Sequence, residues 1–477
     1  MLSKKLFTTL VKRLPKTHLN SLTKFVIPEA FTFKALSAKS QFYFNIVDWQ
    51  ERGGYLQDET SLQYAKDAMK EFNDIEHPKT KDVMKALEEV HRHKIGITST
   101  DPLFQTFISK IIKALNLKFT PKELSTIVQY AFEIKVKHSG FWGAMLQVIK
   151  SNQRDIDIPY LINIFYIFVR LKTFREPENY VRDLAPKFLE FLKDIIPHLQ
   201  LPYLVKVTYI FSYFDMPFPE AINKLKSEIL NNLPTLDMIL PANEMATAAW
   251  LLYNILDAND KDKEKILRDI GHLFVQRDLL EYDLTLQHYE YDRPRPADLG
   301  VQDRLDWQSI SLMGRIYSSR EYYDEIIIGR LTDAVLRKTE TDIIDFENAS
   351  IILSWLAVVD VHYDANLIMR ILEIIELQME NEGPNMFPQF TGENVANFLK
   401  ALNALMSTHL DPAILTDIFR YLAGFIRSGK LDSKADLNQY EIIYGVMRRY
   451  KNYLRDEEIV LPFLENRIKE LKSHSQK

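Results

Sequence analysis

Apolar residues recur along this chain at helical spacing, in long segments with few turn residues between them. Four segments share one layout, in which a proline opens an apolar run: TPKELSTIVQYAFEI (Thr120–Ile134), IPYLINIFYIFVRL (Ile158–Leu171), LPYLVKVTYIFSYF (Leu201–Phe214) and LPANEMATAAWLLYNI (Leu240–Ile255). Their prolines, Pro121, Pro159, Pro202 and Pro241, lie 38, 43 and 39 residues apart. Proline suits the first helical turn, where its missing N–H leaves no hydrogen bond unmade. A more amphipathic helix follows the second, third and fourth of these runs: PKFLEFLKDII, AINKLKSEILNNL and EKILRDIGHLFVQ respectively. Two helices per unit and a period near 40 predict an all-α fold, an α-solenoid in which each pair stacks on the next. The first helix of each pair is apolar nearly all round, as a helix sandwiched between neighbours should be.

The pattern recurs downstream. FENASIILSWLAVV pairs with LIMRILEIIELQME, GENVANFLKALNAL with PAILTDIFRYLAGFI, and QYEIIYGVMRRYKNYL with LPFLENRIKELK, whose polar end would cap the stack. The Glu347-Asn348-Ala349 and Glu393-Asn394-Val395 openings lie 46 residues apart, so the predicted period spans about 38–46. The expected organisation is a first repeat block over 121–286, a loop rich in Pro, Tyr and Arg over 287–307, and a second block over 308–472. A polar tail, 473–477, follows. Residues 47–120 hold three helices without evident register to the repeats. The two longest uncharged apolar runs, Ile158–Val169 and Asn348–Val359, have twelve residues each. They read as core helices, since crossing the hydrocarbon of a bilayer takes about 20 residues.

Residues 1–46 have a different character. They hold eight basic residues and one acid, Glu29, and the opening MLSKKLFTTLVKRLPK places Leu2, Leu6, Phe7, Leu10, Val11 and Leu14 opposite Lys4, Lys5, Lys12 and Lys16 on a helical wheel. A basic, acid-poor amphipathic helix without a long apolar run has the composition of a mitochondrial transit segment. The expected location is the matrix or the matrix face of the inner membrane. Without this segment the chain carries 52 basic and 64 acidic residues, a net charge of −12. That sign opposes the non-specific attraction to phosphate that dominates nucleic-acid affinity.

The repeats resemble the degenerate helix pairs of organellar RNA-metabolism proteins, the octotricopeptide type and the repeats of the FAST-kinase-like family. The resemblance rests on apolar first helices with small residues inside them, QYAFEI around Ala131 and MATAAWLLYNI around Ala248-Ala249-Trp250. It covers Pro121–Arg277 and, more faintly, Ser309–Tyr453. It implies organellar RNA or ribonucleoprotein partners. The spacing here is uneven, which prevents assignment of a residue-per-base code. The helical C-terminus also lacks the alternating strands of the small α/β domain common in these families.

Chemistry-bearing motifs are sparse. The chain has no cysteine, no phosphate-binding glycine loop, no G-x-S-x-G and no H-E-x-x-H, and it is expected to be non-enzymatic and without cofactors. Glu88-x-x-His91 supplies half of a di-iron carboxylate pattern without a second half and is read as a solvated face. Asp257–Asp262 lacks the sixth-position glycine of a calcium loop and is read as a charged turn. The loop sequence YEYDRPRP combines Tyr289, Tyr291, Arg293 and Arg295 with two prolines, residue types suited to a protein partner. Tyr444, Arg448, Lys451 and Arg455 align as a cationic stripe with an aromatic, the candidate RNA-binding face. The favoured expectation is a scaffold: a structural or assembly subunit of a large mitochondrial complex, respiratory or ribosomal, that docks other subunits and is at most peripheral to the membrane. The alternative is a mitochondrial RNA-binding repeat protein acting on transcript processing, stability or translation.

Overall fold

The computed structural model describes residues 59–93, 101–276 and 305–475, apart from short interruptions at 135, 172–173, 217, 342–343, 360–364, 383–389, 406–409, 430, 432–434 and 455–456. All of these fall within one unit, Trp49–Lys477. The proposed transit segment lies outside the described residues. Within them the regular structure is entirely helical. The helices are α1 (Glu59–Asp74), α2 (Thr80–His93), α3 (Pro102–Ala114), α4 (Pro121–Glu133), α5 (Ser139–Asn152), α6 (Ile158–Arg170), α7 (Arg175–Leu192), α8 (Leu201–Tyr213), α9 (Pro219–Asn232) and α10 (Ala242–Ile255). They continue with α11 (Lys261–Gln276), α12 (Trp307–Tyr317), α13 (Glu325–Thr341), α14 (Phe346–Val358), α15 (Ala365–Glu382), α16 (Gly392–Leu405), α17 (Pro412–Arg427), α18 (Leu437–Arg449) and α19 (Glu457–Ser475).

Local chemistry starts these helices where they start. Asp101, Asp306, Asp345 and Asp411 cap α3, α12, α14 and α17 through their side chains, satisfying backbone N–H groups that have no partner within the helix. Thr120 with Glu123 and Asp436 with Gln439 form reciprocal capping boxes on α4 and α18. Pro121, Pro159 and Pro202 occupy the first turn as expected, whereas Pro241 is itself the cap residue of α10.

Even-numbered helices pack on even-numbered ones, from α2 on α4 through to α16 on α18, and form the first layer. Odd-numbered helices form the second layer: α1 on α3 on α5 on α7, and α9 on α11 through to α19. Between the two runs, α9 meets the turn Ile196–His198 that follows α7. The fold is thus an all-α helical-repeat solenoid. The layers differ in burial. In α6 every residue from Ile164 to Val169 is buried, together with Leu161 and Ile162, because flanking helices and the second layer cover most of its circumference. In α7 only the stripe Pro177, Val181, Ala185, Phe188 and Leu192 is buried. None of the described helices is long and apolar enough to cross a membrane.

Two findings modify the expected organisation. The stack does not break at the central segment: α10 packs on α12 and α11 on α13 across residues 277–304. The end of the expected loop belongs to the fold, since Leu305 is buried, Asp306 caps α12 and Trp307 is its buried first residue. Helices α1–α3 also sit in register, with α2 in the first layer and α1 and α3 in the second. Their register is hidden because α2 keeps Glu88, Glu89 and Arg92 toward solvent and, among the described residues, packs against one first-layer neighbour, α4.

Candidate functional site

The first layer brings one polar and aromatic cluster together on one of its faces. Arg170, the last residue of α6, donates from Nη2 to Asp306 Oδ2 at 2.9 Å and to Gln308 Oε1 at 2.6 Å, and from Nε to the same Gln308 oxygen at 3.0 Å. Its guanidinium lies over the Phe132 ring at 5.1 Å and the Tyr166 ring at 5.3 Å. Gln308 donates to the Tyr209 hydroxyl at 3.3 Å, and the backbone N–H of Asp306 donates to Asn243 Oδ1 at 2.9 Å. Within the layer α8 and α10 separate α6 from α12, so this meeting requires the layer to curve with the cluster on its inner side. Beside it, Lys206 of α8 bonds Asn163 of α6 at 2.8 Å and pairs with Glu244 of α10 at 3.0 Å. Five consecutive first-layer helices therefore contribute to one network.

Its electrostatics are internally balanced. Burial disfavours the Arg170 charge, but Tyr166, Asp306 and Tyr209 outweigh that and hold its pKa above the ordinary value. Desolvation works against the Asp306 carboxylate too, yet Arg170 and the Ser309 N–H draw its pKa below the usual range. Burial pushes the Tyr166 hydroxyl up to about 12. A carboxylate with a depressed folded pKa contributes stability above its unfolded value, and that contribution fades as pH falls through the folded one. Asp306→Asn is therefore expected to destabilise at neutral pH, and its difference from wild type should shrink as pH falls below the ordinary carboxylate range toward the depressed folded value. Denaturant melts of both proteins across that range check this.

The residues singled out from sequence fall as follows. Tyr289, Tyr291, Arg293 and Arg295 lie outside the described residues, as does Arg455. Tyr444 and Arg448 are adjacent on α18, the guanidinium 5.9 Å from the ring centre, and Lys451 is exposed. α18 ends at Arg449 and Lys451–Tyr453 make a separate 3₁₀ turn, so of the described members only Tyr444 and Arg448 share the helix. His91 contacts Glu133 of the next first-layer helix and stacks on Tyr130 at 4.3 Å, while Glu88 pairs with Arg92. Among the described residues no three potential ligands group as a metal site. In the Asp257–Asp262 turn, Lys226 Nζ lies 2.8 Å from both Asp260 and Asp262, which neutralises the carboxylates a cation would need.

The Arg170 cluster escaped the motif search because its members are spread over 177 positions of the chain, from Phe132 to Gln308. One signal was available: Tyr166, Tyr209, Trp250 and Arg315 each stand ninth in α6, α8, α10 and α12. In that register two pairs of neighbours meet, Tyr166 and Tyr209 edge-to-face at 5.2 Å and Arg315 over Trp250 at 5.0 Å. Neither a comparison with family models nor a search of curated proteins finds a match to the chain.

Proposed function

We propose that the protein is a non-enzymatic scaffold, a structural or assembly subunit of a large mitochondrial complex, and that its first-layer face docks other protein subunits. The observation that carries this reading is the charge of that layer. Its nine described helices hold ten Lys or Arg against nine Asp or Glu, so the layer as a whole is close to charge-balanced rather than electropositive, as a long phosphate-binding track would be. The two central cations, Arg170 and Lys206, are committed to carboxylates and amides of neighbouring helices. What the face does present is tyrosine: Tyr160, Tyr203 and Tyr213 are partly exposed around the network. Tyrosine and arginine are enriched at the energetic centres of protein interfaces. The matrix location rests on residues 1–46, and the loop residues Tyr289, Tyr291, Arg293 and Arg295 are offered as a second contact.

The test is native electrophoresis of the endogenous protein from mildly solubilised mitochondria, with and without ribonuclease, followed by mass spectrometry of the band. Migration at high mass with other subunits, indifferent to ribonuclease, is expected. Absence from mitochondria, or collapse to low mass on RNA digestion, would reject the scaffold.

A further inference from the structure

The end of the first layer gathers four exposed cations at one edge. Lys400 on α16 and Arg448, Arg449 and Lys451 around the end of α18 are all exposed. Among the described residues none of the four is within ion-pair distance of a carboxylate, whereas nearby Lys472 is taken by Glu441 at 2.8 Å. Arg449 is braced toward α16 by Asn403 at 3.0 Å and lies over the Tyr450 ring at 5.6 Å, which fixes its head group. The C-terminal dipole of α18 makes its end a favourable place for cations.

We propose that this edge holds an acidic polypeptide segment of a partner protein. The choice of a peptide over RNA rests on the aromatic residues. Binding of single strands draws on open aromatic faces for base stacking. Here Arg448 covers the Tyr444 ring, and Tyr450 and Tyr453 are engaged with Phe419 and with each other. What remains outward is a short group of guanidinium and ammonium heads, matched to a few carboxylates. This inference rests on the scaffold reading only in taking the partner to be protein.

The experiment uses the full chain and its R448Q/R449Q/K451Q variant, with fluorescence anisotropy of labelled decaglutamate and, separately, labelled decauridylate at low and raised salt. The expected result is salt-sensitive binding of the peptide that weakens about tenfold in the variant. Its circular dichroism melt should stay within a few degrees of wild type, since all three side chains are exposed. The overall net charge of −5 repels the peptide, so binding reports a local site. Equal peptide binding by both proteins, no binding of either probe, or decauridylate bound more tightly and lost in the variant would each overturn the proposal. Any of these would leave a ribonuclease-indifferent native band unchanged, so this inference and the scaffold reading fail separately.

Discussion

Arg170→Met is expected to lower stability by about 2–3 kcal/mol and to do so locally, in the arc from α6 to α12. Removing one partner of a buried ion pair typically costs about 3–5 kcal/mol, because the other charge is left without compensation. The lower figure applies here because the Asp306 side chain is 38% exposed and can regain some hydration, while that of Arg170 is only 13% exposed. Part of the loss comes from the two rings the guanidinium lies over, Phe132 and Tyr166, at roughly 0.5–1 kcal/mol each. Methionine retains much of the side-chain volume, so cavity formation adds little. Arg170→Lys should recover only part of the stability, since an ammonium cannot engage Asp306 and Gln308 with a planar fork. Stacked repeats open by segments, so the informative readout is amide hydrogen exchange by peptide. Faster exchange in α6, α8, α10 and α12 with α16–α19 unchanged is expected. A uniform change, or none, would show that the network does not tie these helices together.

Gly314→Ala is expected to destabilise by about 2 kcal/mol, although alanine is the better helix former. A Cβ at Gly314 on α12 would stand 2.7 Å from Cδ1 of the Trp355 indole on α14, and other indole atoms are nearer. Trp355 is 2% exposed, so it has nowhere to move. Overpacking of this kind costs about 1–3 kcal/mol, here at the upper end, and exceeds the roughly 1 kcal/mol gained in helix propensity. Gly329 in the exposed face of α13 is the control, because a Cβ there meets nothing within 4 Å. Gly329→Ala should stabilise by roughly 0.5–1 kcal/mol. Thermal melts of the two variants should therefore shift in opposite directions. Equal shifts would mean that the α12–α14 approach is looser than described.

These two sites also mark what the sequence could and could not disclose. The helix pairs were legible because burial writes itself into local pattern. The contiguous apolar run of α6 and the narrow stripe of α7 follow from how much of each helix its neighbours cover. The starts were legible because Pro121, Pro159 and Pro202 sit where only the first turn tolerates them. The register of α2 was not, since this helix keeps Glu88, Glu89 and Arg92 on a broad polar face. The central segment read as a break because proline and glycine spacing reports local turns, and says nothing of α10 reaching α12 beyond it. Arg170 and Asp306 are 136 residues apart, and neither carries a motif; only their juxtaposition in a curved layer gives them a role. Charge spacing alone does not disclose that α18 ends at Arg449, which sets Lys451 in a separate turn from Tyr444 and Arg448.

The most direct test of the protein-docking claim places a photoreactive amino acid at Tyr203 on the first-layer face and, as a control, at Glu190 on the second-layer helix α7, in protein expressed in its own cells. Illumination is expected to join position 203, and not position 190, to one or a few mitochondrial protein subunits, with yields indifferent to ribonuclease. Crosslinks from position 203 to RNA, or equal protein crosslinking from both positions, would contradict it.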